Sequence, residues 1–176
     1  MTSIERSTIL IIENNPHMRR IIREMLIGFS VPNILEADGV TRGHAIVLKR
    51  RIDLVILDFF LDTLDGADFT RMVRTDPRCI NRAVPILLVT ALPNHAKVLK
   101  MRDAGVNEIL AKPLAPRDVY ARIMTMLTGP REFIANAGYV GPCRRRRIMD
   151  YPTGRERRHD ELERLKRQRI SSHGQL

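Results

Sequence analysis

Tryptophan is absent from this chain, aromatic residues make up only 5% of it, and it has just two cysteines. Each scarcity narrows the choices. A core without large rings must be filled by Ile, Leu, Val, Met and Ala. Cys79 and Cys143 lie far apart with no Cys-x-x-Cys spacing, so they suggest neither a disulfide framework nor a zinc site. Both read as buried or incidental thiols, and the expected compartment is the reducing cytoplasm. No apolar run approaches the roughly 18 residues that a membrane span needs, so no membrane insertion is expected. The first residues, Met1 to Arg6, carry no cleavable signal pattern. Neither a Gly-x-Gly-x-x-Gly nor a Walker motif occurs, which leaves nucleotide binding without support.

What is present is enough for one ordinary domain and an extension: 176 residues, 44% of them apolar. Lysine and arginine outnumber aspartate and glutamate by 30 to 20, a formal net charge of +10. The excess is uneven. Through Leu127 there are 18 basic and 14 acidic residues, whereas from Thr128 onward there are 12 and 6. The second stretch is rich in breakers: Gly129-Pro130, Gly138, Gly141-Pro142, Pro152 and Gly154. The reading is a compact domain over 1–127 and a basic, mostly disordered tail over 128–176.

Within the first part, short apolar runs alternate with helical spacing. The runs are Ile9-Leu10-Ile11-Ile12, Ile34-Leu35, Leu54-Val55-Ile56-Leu57, Ile86-Leu87-Leu88-Val89 and Ile109-Leu110. Between them, Met18, Ile21, Ile22, Met25 and Leu26 follow i, i+3, i+4, with arginines opposite. Further helices are expected around Ala45 to Leu48, Phe69 to Val73, Val98 to Ala104 with Gly105 as the stop, and Val119 to Leu127 opened by Pro116. Five such alternations predict an α/β fold: a doubly wound parallel sheet with helices on both faces. The first, third and fourth runs are continuously apolar, as centrally buried strands are, which predicts the order 2-1-3-4-5.

In open sheets of this type the functional crevice lies beyond the carboxyl ends of the strands. Here the first run ends in Glu13-Asn14, the third in Asp58, the fourth in Thr90 and the fifth in Lys112-Pro113. These groups resemble the receiver domain of bacterial two-component response regulators. The resemblance runs from about residue 7 to 127 through Asp53-Leu-Val-Ile-Leu-Asp58, Leu64-Asp65-Gly66, Pro85-Ile-Leu-Leu-Val-Thr90-Ala91, Ala104-Gly105-Val106 and Ala111-Lys112-Pro113. It implies phosphotransfer to Asp58 from a histidine kinase or histidine phosphotransfer protein, followed by contacts with a downstream protein. It also implies magnesium held by Asp58, Asn14 and the backbone carbonyl of Phe60, with Glu13 acting through a metal-bound water. Lys112 and Thr90 would bond phosphoryl oxygens, and the Lys112-Pro113 peptide would be cis.

Three residues depart from the family pattern. Asn14 stands where a second acid is usual, and a charge at ~4 Å is worth roughly 4 kcal/mol before desolvation at an effective dielectric of ~20; weakened magnesium binding is expected. Ile109 stands where an aromatic ring is common and reads as an edge-strand packing residue. Asp62 stands where proline is frequent. The five histidines, His17, His44, His95, His159 and His173, form no ligand spacing and read as surface groups.

The tail carries a weak repeat. Gly138-Tyr139-Val140-Gly141-Pro142-Cys143-Arg144-Arg145-Arg146-Arg147 is echoed by Asp150-Tyr151-Pro152-Thr153-Gly154-Arg155-Glu156-Arg157-Arg158. It resembles the Gly-Pro-Asp-Arg-Arg tails of some stand-alone receivers, with Cys143 in place of Asp. Tyr139 and Tyr151 beside Arg144, Arg145, Arg146, Arg147, Arg157 and Arg158 could bind anions, including nucleic acid, or an acidic partner. Leu162, Leu165 and Ile170 mark a helix over 154–170 that could form on a partner or in a homodimer. The alternative to a working phosphoacceptor is therefore an inert receiver serving as an adaptor through its arginine-rich tail.

Overall fold

The computed structural model describes residues 4–61, 64–91, 94–136 and 138–144. Five strands, β1 (Thr8–Ile12), β2 (Asn33–Ala37), β3 (Leu54–Asp58), β4 (Ile86–Thr90) and β5 (Glu108–Ala111), form one parallel sheet in the order β2-β1-β3-β4-β5. The connecting helices are α1 (Pro16–Gly28), α2 (Val40–Lys49), α3 (Gly66–Thr75) and α4 (His95–Ala104), and α5 (Pro116–Thr128) follows β5. Fold class and strand order agree with the sequence reading. The strands read as central are buried almost throughout, whereas β2 and β5 at the edges are only partly so.

Alternation along the strands divides the interior into two cores. Leu10, Ile12, Val55, Leu57, Ile86 and Leu88 face one way, onto Phe69 and Val73 of α3 and Met101 of α4. Ile9, Ile11, Leu54, Ile56, Leu87 and Val89 face the other way, onto Ile22 and Leu26 of α1 and Ile123 of α5. Parallel strands buried on both faces need no polar side, so their runs are apolar without a break.

Side chains cap the starts of α1, α3 and α4. The Asn15 carboxamide oxygen accepts from the N–H groups of His17 and Met18, Asp65 caps α3 through Ala67 and Asp68, and Asn94 caps α4 through Lys97. Gly105 ends α4 in the left-handed conformation at φ 96°, as its place in the sequence predicts.

Beyond α5 the chain departs from expectation. Where irregular tail was predicted from Thr128 on, β6 (Phe133–Asn136) and β7 (Tyr139–Pro142) pair antiparallel as a hairpin, and the compact unit runs through Arg144. The turn is fixed by Asn136, whose side-chain oxygen accepts from the backbone N–H groups of Gly138 and Tyr139. β7 packs on α3 and α4. Arg145, Arg146, Arg147, Tyr151, Arg157, Arg158 and the helix expected over 154–170 lie outside the described residues, as does Asp62.

Candidate functional site

The carboxyl ends of β1, β3, β4 and β5 bring together four of the groups read from the sequence. Asp58 closes β3 and is 5% exposed, while Glu13, just past β1, is 1% exposed. Two buried carboxylates so close together need a cation. Lys112 supplies it from beyond β5, with its Nζ 2.8 Å from Asp58 Oδ1 and 3.1 Å from Glu13 Oε2. Burial alone would push the Lys112 ammonium down, but its bonds to Asp58 and Glu13 outweigh that and raise it above the ordinary lysine value. The Lys112-Pro113 peptide is cis.

The backbone fixes the remaining carboxylate oxygens. The N–H of Phe60 donates to Asp58 Oδ2 at 3.1 Å, and the N–H of Asn15 donates to Glu13 Oε1 at 3.0 Å. Arg19 of α1 donates to the Glu13 carbonyl at 2.6 Å and so ties the first turn of that helix to the site. Gly66 permits the approach of α3, since a Cβ there would lie 2.6 Å from the Asp58 carbonyl oxygen. Thr90 is fully buried at the end of β4, and its Oγ has no hydrogen-bond partner among the described residues. A buried hydroxyl left unbonded is costly, which marks a place where an incoming acceptor would be favoured.

Asn14 is half-buried at the rim and borders a cleft of about 500 Å³ with Phe59, Phe60, Leu64, Asp65 and Asp68. Phe60 is 49% exposed, and the Lys97 ammonium of α4 lies 4.6 Å from its ring centroid. That pair was not read from the sequence, because residues 37 apart show no local signal of meeting. Ile109 packs at the edge of the core under α3 and α4, in keeping with a packing role. His44 is a correction: it is half-buried on α2, with Nε2 3.7 Å from Asp76 Oδ2, rather than a free surface group.

The response regulator receiver domain matches residues 9–124. The chain belongs to the receiver family. Among curated relatives of this family, the chain is 30% identical over 115 residues to the chemotaxis protein CheY of Pseudomonas aeruginosa, covering 65% of this chain and 91% of that one. It is 29% identical over 125 residues to the phosphate regulon transcriptional regulatory protein PhoB of the same organism, covering 70% of this chain but only 53% of that longer protein. Among solved receivers, that of a sensor histidine kinase of Pseudomonas aeruginosa, with magnesium coordinated in its active-site cleft, superposes with a TM-score of 0.64 at 25% identity, covering 70% of this chain and 98% of that one.

The hairpin end holds the rest of the predicted set that is described. Arg144 stacks on Tyr139, its guanidinium carbon 4.0 Å from the ring centroid, and also pairs with Asp103 at 3.2 Å. The two residues therefore meet each other, but they do not join the carboxylate cluster.

Proposed function

We propose that the chain accepts a phosphoryl group on Asp58 from a histidine kinase or histidine phosphotransfer protein and signals through protein contacts. The observation that carries this reading is the pair of buried carboxylates sharing Lys112, next to the unbonded hydroxyl of Thr90. One oxygen of Asp58 attacks phosphorus, the phosphorus–nitrogen bond of the donor breaks, and the electron pair leaves with the donor's imidazole. The product is an acyl phosphate. Lys112 can follow the charge from the carboxylate to a phosphoryl oxygen, and the Thr90 hydroxyl donates to another. The backbone N–H of Phe60 fixes the Asp58 carboxylate for the approach.

The donor set suits magnesium, which binds hard oxygens through one or two carboxylates and completes its shell with water and phosphate. Asp58, the Phe60 carbonyl and Asn14 would hold it, with Glu13 behind them. When bound, the ion neutralises charge on the phosphoryl group. Among the described residues no cluster of three or more acidic, His or Cys side chains forms a metal cage. Asn14 supplies a neutral oxygen, which makes for weaker binding than a second acid would. Incubation of the full chain with magnesium and acetyl phosphate tests the reading. The intact mass should rise by one phosphoryl group, and Asp58→Asn should show no gain; an equal gain in the variant would refute the assignment.

A second role rests on the Tyr139–Arg144 stack. It opens the basic segment resembling the Gly-Pro-x-Arg-Arg tails of stand-alone receivers, and it presents a cation and a ring together. Sequence-tolerant binding of nucleic acid through this segment would weaken steeply with salt. Replacing Arg144, Arg145, Arg146 and Arg147 by alanine should abolish duplex DNA binding at low salt, while unchanged binding would remove this role.

A further inference from the structure

We infer that the β6–β7 hairpin is coupled to the phosphoryl site through α4, so that phosphorylation of Asp58 loosens the hairpin. The inference rests on the phosphoacceptor reading of Asp58. Helix α4 touches the site at one end and the hairpin at the other. Its fully buried side chains, Met101 and Ala104, lie near its end, and its first half is held by the partly buried Val98 and by the ammonium groups of Lys97 and Lys100. Lys97 lies over the rings of Phe60 and Phe59, at 4.6 and 5.6 Å, beside the Asp58 loop. Lys100 bonds Asp65 at the cap of α3 and lies 3.7 Å from Asp68.

The other end is locked by backbone contact. A Cβ on Gly105 would lie 2.9 Å from the Val140 carbonyl oxygen, and one on Gly141 would lie 2.8 Å from Gly105 Cα. Arg144 reaches back from the hairpin to Asp103 in the last turn of α4. Such a contact tolerates little sliding, because it is close-packed main chain rather than flexible side chain.

A phosphoryl group on Asp58 adds negative charge next to the Phe59–Phe60 segment over which Lys97 lies, and gives the Thr90 hydroxyl an acceptor. Thr90 ends the strand that leads into α4, so both effects draw the start of that helix toward the site. Moving the helix breaks the fit of Gly105 on Gly141. Linkage requires the converse: a hairpin already off its seat favours the phosphorylated state.

Cys143, half-exposed at the end of β7, reports the hairpin without engineering, since the other thiol, Cys79, is buried. The test uses the full chain with magnesium and limiting acetyl phosphate, intact mass as one readout and alkylation of Cys143 as the other. Phosphorylation should speed alkylation about fivefold, the lower end of allosteric couplings. Gly141→Ala, which unseats the hairpin but leaves the site untouched, should alkylate fast with or without donor and should hold a larger phosphorylated fraction at equal donor. Phe133→Ala, which removes the ring packed on Arg74, should act in the same direction. A gain in mass with unchanged alkylation, and equal phosphorylation in both variants, would overturn the coupling and leave the phosphoacceptor intact. No gain in mass would overturn both.

Discussion

At the carboxyl end of the sheet a half-buried cation, Lys112, is flanked by two carboxylates; at the other end of α3 a fully buried one, Arg74, is surrounded by neutral oxygens. Arg74 is 1% exposed. It donates to the carbonyls of Gly105 and Arg82 and to the Asn107 side chain, and its guanidinium carbon lies 5.7 Å from the Phe133 ring centroid. Burial lowers its pKa to about 10, so it stays charged at neutral pH. A lysine between two carboxylates can exchange one oxygen for another as a phosphoryl group arrives. An arginine wedged among carbonyls has no partner to exchange. One end of α3 borders the proposed phosphoacceptor, and the other is tied to the loop before β5 and to the hairpin through Arg74.

The contrast makes predictions of graded size. Arg74→Met keeps much of the volume but leaves the carbonyls of Gly105 and Arg82 without their donor, so unfolding in urea should show a loss of about 3 kcal/mol. A variant as stable as the parent would mean that the buried cation contributes nothing to the fold. Gly105→Ala places a side chain at φ 96° against the hairpin backbone and should cost about 1–2 kcal/mol in the same assay. Asp58→Asn, by contrast, leaves Lys112 its bond to Glu13 and relieves the repulsion between two buried carboxylates. Its stability should stay within about 1 kcal/mol of the parent.

A finer comparison is one of pH. Because Asp58 and Glu13 hold Lys112 above its ordinary value, its contribution is complete below about pH 10, near the unfolded lysine pKa, and fades as pH rises through the folded value. Stability curves of the parent and Lys112→Met should therefore converge above that pH; a constant gap would deny the ion pairs their role. The smallest expected effect concerns the metal. Asn14→Asp should lower the magnesium concentration for half-maximal phosphorylation, and no change would mean that residue 14 does not face the ion.

Much of this was legible in the sequence because strand burial and strand-end chemistry leave period and position in the chain. The continuous runs at Ile9, Leu54 and Ile86 mark central strands, and Asp58, Thr90 and Lys112 follow directly from where strands stop. The hairpin was hidden by its composition: Gly138, Gly141 and Pro142 read as breakers, and its partner surface on α3 and α4 lies far away in sequence. The same holds for Arg74, which looks like a solvated helix charge beside Val73 until Gly105, Asn107 and Phe133 are brought around it. Long-range packing of polar groups leaves no periodic trace.

The central claim is that the paired carboxylates at the strand ends serve one acceptor. Peptide mapping by mass spectrometry of the full chain, after transfer from a phosphorylated histidine phosphotransfer protein in the presence of magnesium, tests it most directly. The account predicts a single phosphoryl group on Asp58. A phosphoryl group on any other residue, or none under donor excess, would contradict it.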